Sequence, residues 1–138
     1  MMSRQVRQER QEREDVVGAA VVDAAIKVHR ALGPGLLESV YEAALSIELR
    51  NRGFDVQTQV EIEVWYEGQR LGVGFRADMI VDDAVLVELK SVKELNDTFR
   101  KITLSYLKLS RLRLGFLMNF NVPLMKEGIV RIANGMPN

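Results

Sequence analysis

Three stretches with a hydrophobic period of two follow one another at 54–66, 71–81 and 85–92, and the links between them are too short to hold a helix. Short links of this kind force neighbouring strands to run antiparallel. In the first stretch Phe54, Val56, Thr58, Val60, Ile62, Val64 and Tyr66 alternate with Asp55, Gln57, Gln59, Glu61, Glu63 and Trp65, which predicts one apolar and one solvated face. After the turn "YEGQ", Leu71, Val73, Phe75, Ala77, Met79 and Val81 take one side of the second strand, and Gly72, Gly74, Arg76, Asp78 and Ile80 the other. A turn at Asp82 and Asp83 leads into the third. An all-helical fold is excluded.

Helical periodicity flanks this meander. Val17, Val21, Ala24 and Val28 recur at three- and four-residue spacing from Asp15 onward, until "LGPG" at 32–35 ends the run. A second helix is predicted from Leu36, with Leu37, Val40, Tyr41, Ala44 and Ile47 or Glu48 on its face and "NRG" at 51–53 closing it. After the strands, Asn96 or Asp97 caps a third helix whose face is read as Phe99, Ile102, Tyr106 and Leu109. "LRLGFLMNF", 112–120, is apolar on both sides and reads as a buried strand that crosses over to pair in parallel, with "GIVRIA" as a short edge element. The order is α-α-β-β-β-α-β, an α/β or α+β sandwich. Residues 1–13 are polar and charged and read as a flexible leader to one domain over 14–138.

The third strand, "VLVELKSV", places Glu88 and Lys90 on one face and Val87 and Leu89 on the other. Asp78 stands across the hairpin within reach of cross-strand neighbours, so two carboxylates and one ammonium converge. An exposed pair of this kind is worth only about 0 to 1 kcal/mol and would need no metal. Leu86 and Ile80 share the charged face, however, and a helix must cover the sheet somewhere, so desolvation and like-charge repulsion favour a divalent cation between the carboxylates. Two hard oxygen donors plus water suit Mg²⁺ or Mn²⁺, with Lys90 orienting the attacking water or stabilising charge on phosphate. The chain has no cysteine and one histidine, His29, which excludes thiolate and histidine-rich metal sites and fits a reducing cytoplasm. His29 itself lies beside the apolar stripe of its helix and reads as a packing residue. No apolar run is long and uncharged enough for a membrane span, and the amino terminus does not read as a secretory signal.

"GFRADMIVDDAVLVELKSV" resembles the D-x(n)-E-x-K core of the PD-(D/E)XK nuclease superfamily, and "GLLESVY" at 35–41 is similar to the G-x-x-E-x-x-Y signature of its GxxExxY group. The resemblance extends from about His29 to the end of the last strand. It implies a restriction-endonuclease-like mixed sheet flanked by helices, with Asp78 and Glu88 as metal ligands and Lys90 as the catalytic lysine. The Leu89 carbonyl is a further implied ligand and Glu38 a third carboxylate, delivered from the helix beside the sheet. Tyr41, three residues after Glu38 on the same helix face, is read as packing or bonding to Glu38. Arg76 is left between a phosphate contact and a cross-strand ion pair. Two departures stand out. Many members carry a glutamine, often after a histidine, where this chain has Ile102 and Phe99, and Ala77 replaces the proline before Asp78.

Nineteen basic and nineteen acidic residues cancel, so a nucleic-acid contact must use a local patch. Arg100, Lys101, Lys108, Arg111 and Arg113 supply one candidate, with a solvated helix face as its ordinary alternative. The implied activity is Mg²⁺-dependent hydrolysis of nucleic acid, DNA ahead of RNA. The competing reading, raised by Ile102 and the balanced charge, is a catalytically silent nuclease fold kept for binding or assembly.

Overall fold

A computed structural model of the chain describes residues 2–136. Helices α1 (Arg4–Leu32) and α2 (Glu38–Asn51) precede strands β1 (Val56–Tyr66), β2 (Gln69–Val81) and β3 (Val85–Lys90). Then come α3 (Asp97–Ser110), β4 (Leu114–Asn119), a 3-10 turn (Met125–Gly128) and β5 (Ile129–Ala133). The strands make one mixed sheet in the order β1-β2-β3-β4-β5. Only β3 and β4 are parallel, with Leu86 opposite Gly115 and Glu88 opposite Leu117; α3 provides the crossover that parallel pairing requires. This is the mixed α/β architecture expected from the sequence.

Each face of the sheet is covered. Val17, Val21 and Ala24 of α1 and Tyr41, Leu45 and Leu49 of α2 pack on Val85, Val87 and Leu89, while Leu107 and Tyr106 of α3 pack on Ile80, Leu86 and Phe75. The alternation of Val87 and Leu89 with Leu86 and Glu88 is therefore real, and the central strand is buried on both sides. α1 comes so close to β4 that a Cβ on Gly18 would stand 2.9 Å from Leu114 Cδ2, which explains a glycine inside that helix.

Four expectations change in the structure. α1 runs through residues 4–13, where a flexible leader was predicted from polar composition. Ser3 Oγ caps it, accepting from Val6 N at 3.1 Å, and Gln5 and Gln8 donate to Glu9 and Glu12 one turn on. Periodicity reports burial, so a solvated stretch of helix leaves no such trace. α2 begins at Glu38 and buries Tyr41, Leu45 and Leu49, leaving Leu37, Val40 and Ile47 exposed. α3 buries Thr103 and Leu107 while Ile102 and Leu109 are exposed, because the site side of the helix is lined by Phe99 and Tyr106 instead. Finally, β1 and β2 do not keep one apolar face: Val56, Met79 and Val81 belong to the α1 and α2 side, whereas Val60, Ile62, Phe75 and Ala77 belong to the α3 side. The switch occurs at Gln59, whose φ of 52° reverses the pleat.

Candidate active site

The β2–β3 ladder runs from Val81 opposite Val85 to Met79 opposite Val87 and stops there. One residue further, side chains take over from main-chain carbonyls. Asp78 N donates to Glu88 Oε1 at 3.1 Å, and Leu89 N donates to Asp78 Oδ2 at 2.8 Å. Two backbone donors that the parting strands would orphan are thereby satisfied, and both carboxyls are fixed where the strands separate. Each carboxyl keeps its second oxygen for another partner.

Glu88 is 6% exposed and Leu86 is fully buried, so this face of β3 is not a solvated one. Burial, and after it the neighbouring Asp78 charge, pushes the Glu88 carboxyl up to about 8. Lys90 opposes that shift only weakly. Its Nζ lies 5.1 Å from the centre of the Phe99 ring, which holds the ammonium on the α3 side of the strand. The loop after Lys90 is pinned by buried Asn119, which accepts from Val92 N at 3.1 Å and donates to Val92 O at 3.0 Å. Asn119 stands opposite Lys90 in the parallel register, so the end of the lysine strand is anchored from β4.

Tyr41 is buried and stacks on Phe120 with ring centres 4.4 Å apart. Its hydroxyl donates to Gly33 O at 2.6 Å and accepts from Leu36 N at 3.1 Å, so its partners are the loop before Glu38 and not Glu38 itself, which corrects one expectation. Leu36 O in turn accepts from Ser91 Oγ at 2.8 Å. A continuous chain of bonds thus ties the approach to Glu38 to the residue after Lys90. Glu38 is exposed and lines a cavity of about 280 Å³ with Ser39, Glu42, Gln59, Asp78 and Leu89. Asp78 and Leu89 form the sheet wall of this cavity, and Glu38 the α2 wall.

The remaining candidates separate. His29 is buried and bonded through Nε2 to Val122 O at 2.8 Å, a packing role. Arg76 faces Glu61 across β1 and β2 at 3.5 Å with both side chains exposed, in the cross-strand pair that is one of its two readings. Of the basic patch, Arg100, Lys101, Lys108 and Arg111 are exposed on α3 and at its end, and Arg100 and Lys101 line a cavity with Arg131 of β5. Arg113 leaves the patch. It bonds the buried Glu14 of α1 through Nε, at 3.0 Å, and Nη2, an intramolecular demand that sequence spacing does not reveal. Gln59, Glu42, Ser39 and Ser91 were not foreseen. Neither was Tyr106 as a neighbour of the site: burial first, then the charges of Glu88 and Asp78, raises its phenol. Spacing alone does not single these residues out as neighbours of Asp78 and Glu88, since the strand pairing and the helix approach bring them together.

The donor chemistry fits a hard divalent cation. Two carboxyls with one oxygen each to spare, one of them pushed toward its protonated form first by burial and then by its neighbour, would be stabilised by a positive ion between them. Among the described residues no three His, Asp or Glu side chains already converge into a cage, so Asp78 and Glu88 are the joined pair and Glu38 stands across the cavity.

A family model described as the PD-(D/E)XK nuclease superfamily matches residues 15–132. No curated protein and no solved structure matches the chain.

Proposed function

The chain belongs to the PD-(D/E)XK nuclease superfamily, and from that premise we propose that it hydrolyses phosphodiester bonds of nucleic acid, DNA ahead of RNA, as a member of the GxxExxY group acting through one domain over 14–138. The observation that carries this reading is the bonded pair of half-buried Asp78 and buried Glu88 at the point where β2 and β3 part, with Lys90 two residues on. Asp78 and Glu88 are the residues that would hold Mg²⁺ or Mn²⁺, with the Leu89 carbonyl and Glu38 as further donors, both residues lining a cavity with Asp78. Such an ion supplies Lewis-acid activation of the phosphate and lowers the pKa of attacking water.

The rest falls to the chain's own side chains. Lys90, held over Phe99, places positive charge beside the carboxyls, where it stabilises negative charge growing on the phosphoryl oxygens. Asp78 and Glu88 are oriented by the two backbone N–H groups they accept from, so no side-chain entropy is lost when substrate arrives. Arg100, Lys101 and Lys108 offer phosphate contacts along α3, which begins beside the lysine through Phe99. The cysteine-free sequence suits a reducing cytoplasm.

Purified protein given Mg²⁺ or Mn²⁺ is expected to cleave DNA, and Glu88→Ala or Lys90→Ala to abolish cleavage while the fold survives by circular dichroism. Absence of cleavage on plasmid, linear duplex, single-stranded DNA and RNA with either ion, or unchanged cleavage by both variants, would sink the proposal.

A further inference from the structure

Among the described residues, five other than glycine have positive φ: Gln59, Glu67, Asp82, Asp83 and Arg111. Glu67, Asp82 and Asp83 lie in the two hairpin turns and Arg111 caps α3, where left-handed backbone is what the turn or cap requires. Gln59, inside β1 with a φ of 52°, sits in neither a turn nor a cap, and its left-handed backbone is what reverses the pleat there. A strained residue of this type persists only where its surroundings impose it, and it points to a functional constraint.

The position of Gln59 supplies the constraint. It falls between the pairs Thr58 with Met79 and Val60 with Ala77, and so stands across from Asp78. Its side chain enters the cavity shared by Glu38, Ser39, Asp78 and Leu89, and Nε2 donates to Glu42 Oε1 at 2.6 Å. Glu42 lies one helical turn after Glu38, so α2 presents two glutamates to the cavity and the second fixes the amide. A regular strand conformation would leave the pleat unbroken and return this side chain to the alternation seen elsewhere in β1. The chemistry of the group also fits. Among three carboxylates a fourth would add repulsion and a lysine would compete for them, whereas an amide is neutral and offers one acceptor and one further donor.

We infer that Gln59 is a positioning residue of this site: with Nε2 fixed by Glu42, its Oε1 accepts a hydrogen bond from the attacking water and sets the direction of the water's lone pair. The inference rests on the hydrolytic reading above. It gives the site a polar helper from β1.

Gln59→Gly tests it, because glycine removes the amide and relieves the backbone at once. The variant is expected to melt at a higher temperature than the wild type and to bind Mn²⁺ within about twofold of it by calorimetry. With a defined DNA substrate and Mg²⁺, kcat is expected to fall about 10- to 100-fold while KM stays within about threefold. Gln59→Asn, which tolerates the same backbone but has a shorter amide, is expected to fall between the two. A Gln59→Gly protein with wild-type kcat, or one that loses activity together with stability, would overturn the positioning role. Should the wild type cleave nothing, the hydrolytic reading fails by itself. Water-proton relaxation of the Mn²⁺-loaded proteins then decides about Gln59: a difference between wild type and Gln59→Gly supports water ordering, and identical relaxation removes it.

Discussion

Replacing Glu88 by glutamine should make the metal-free protein more stable, and increasingly so as pH rises. The buried carboxyl is raised from its ordinary 4.5 to about 8, first by burial and then by Asp78. In the unfolded chain it ionises near 4.5, whereas in the folded chain it keeps its proton up to about 8. Over that interval the native state binds more protons, so this group's contribution to stability is fully present below pH 4.5 and is lost as pH climbs through 8. At about 1.4 kcal/mol per pH unit, the loss is on the order of 3 kcal/mol at pH 7 and about 5 kcal/mol above pH 8, as an upper bound. Glutamine keeps the acceptor for Asp78 N and carries no charge, so it escapes the loss. Thermal unfolding in EDTA should therefore show the variant equal to wild type near pH 4.5 and higher by up to roughly 13 °C at pH 8, taking about 3 °C per kcal/mol for a chain of this size. Adding Mg²⁺ should stabilise the wild type through its preference for the folded state and leave the variant unmoved. A variant less stable than wild type at pH 8, or a difference that does not grow with pH, would refute the account of a carboxyl strained by burial and a like neighbour.

Lys90→Met should retain the packing on Phe99 and Mn²⁺ binding by calorimetry, yet cut cleavage by about 10²- to 10⁴-fold. Arg100→Ala and Lys101→Ala should each lower the slope of log affinity against log salt for DNA by about 1, while Arg113→Ala should leave the slope unchanged and reduce stability in urea titrations. Glu14→Ala, which strands the partly buried Arg113 guanidinium, should cost about 3 kcal/mol by chemical denaturation. Tyr41→Phe leaves Leu36 N without its acceptor and should cost about 1 to 3 kcal/mol, with amide hydrogen exchange at 33–37 accelerated.

How far the primary structure reaches can be read at particular residues. The period of two in "VLVELKSV" places Glu88 and Lys90 on one strand face, and the short turn at Asp82 and Asp83 brings Asp78 beside Glu88. Alternation and turn length are local properties, and the element order follows from the same short-range signals. Local signals fail where a residue's environment comes from distant chain. Arg113 looks like a member of a basic run until α1 delivers Glu14 to it across 99 positions. Ile102 and Leu109 repeat at helical spacing yet face outward, because β2 presents Phe75 to Tyr106, with ring centres 3.8 Å apart, and turns α3 by one step. Residues 4–13 are helical without an apolar stripe, since side-chain capping and pairing hold them.

Sequence alone determined the class of fold, the parallel crossover and the acidic pair with its lysine, because each is written in spacing between near neighbours. Tertiary structure decided what surrounds that pair. It parted β2 from β3 so that two carboxyls replace main-chain acceptors, buried Glu88, and reversed the pleat at Gln59, which lines one cavity with Asp78. Those outcomes depend on dielectric and on strain, which are set by how elements pack and which no single stretch of residues carries.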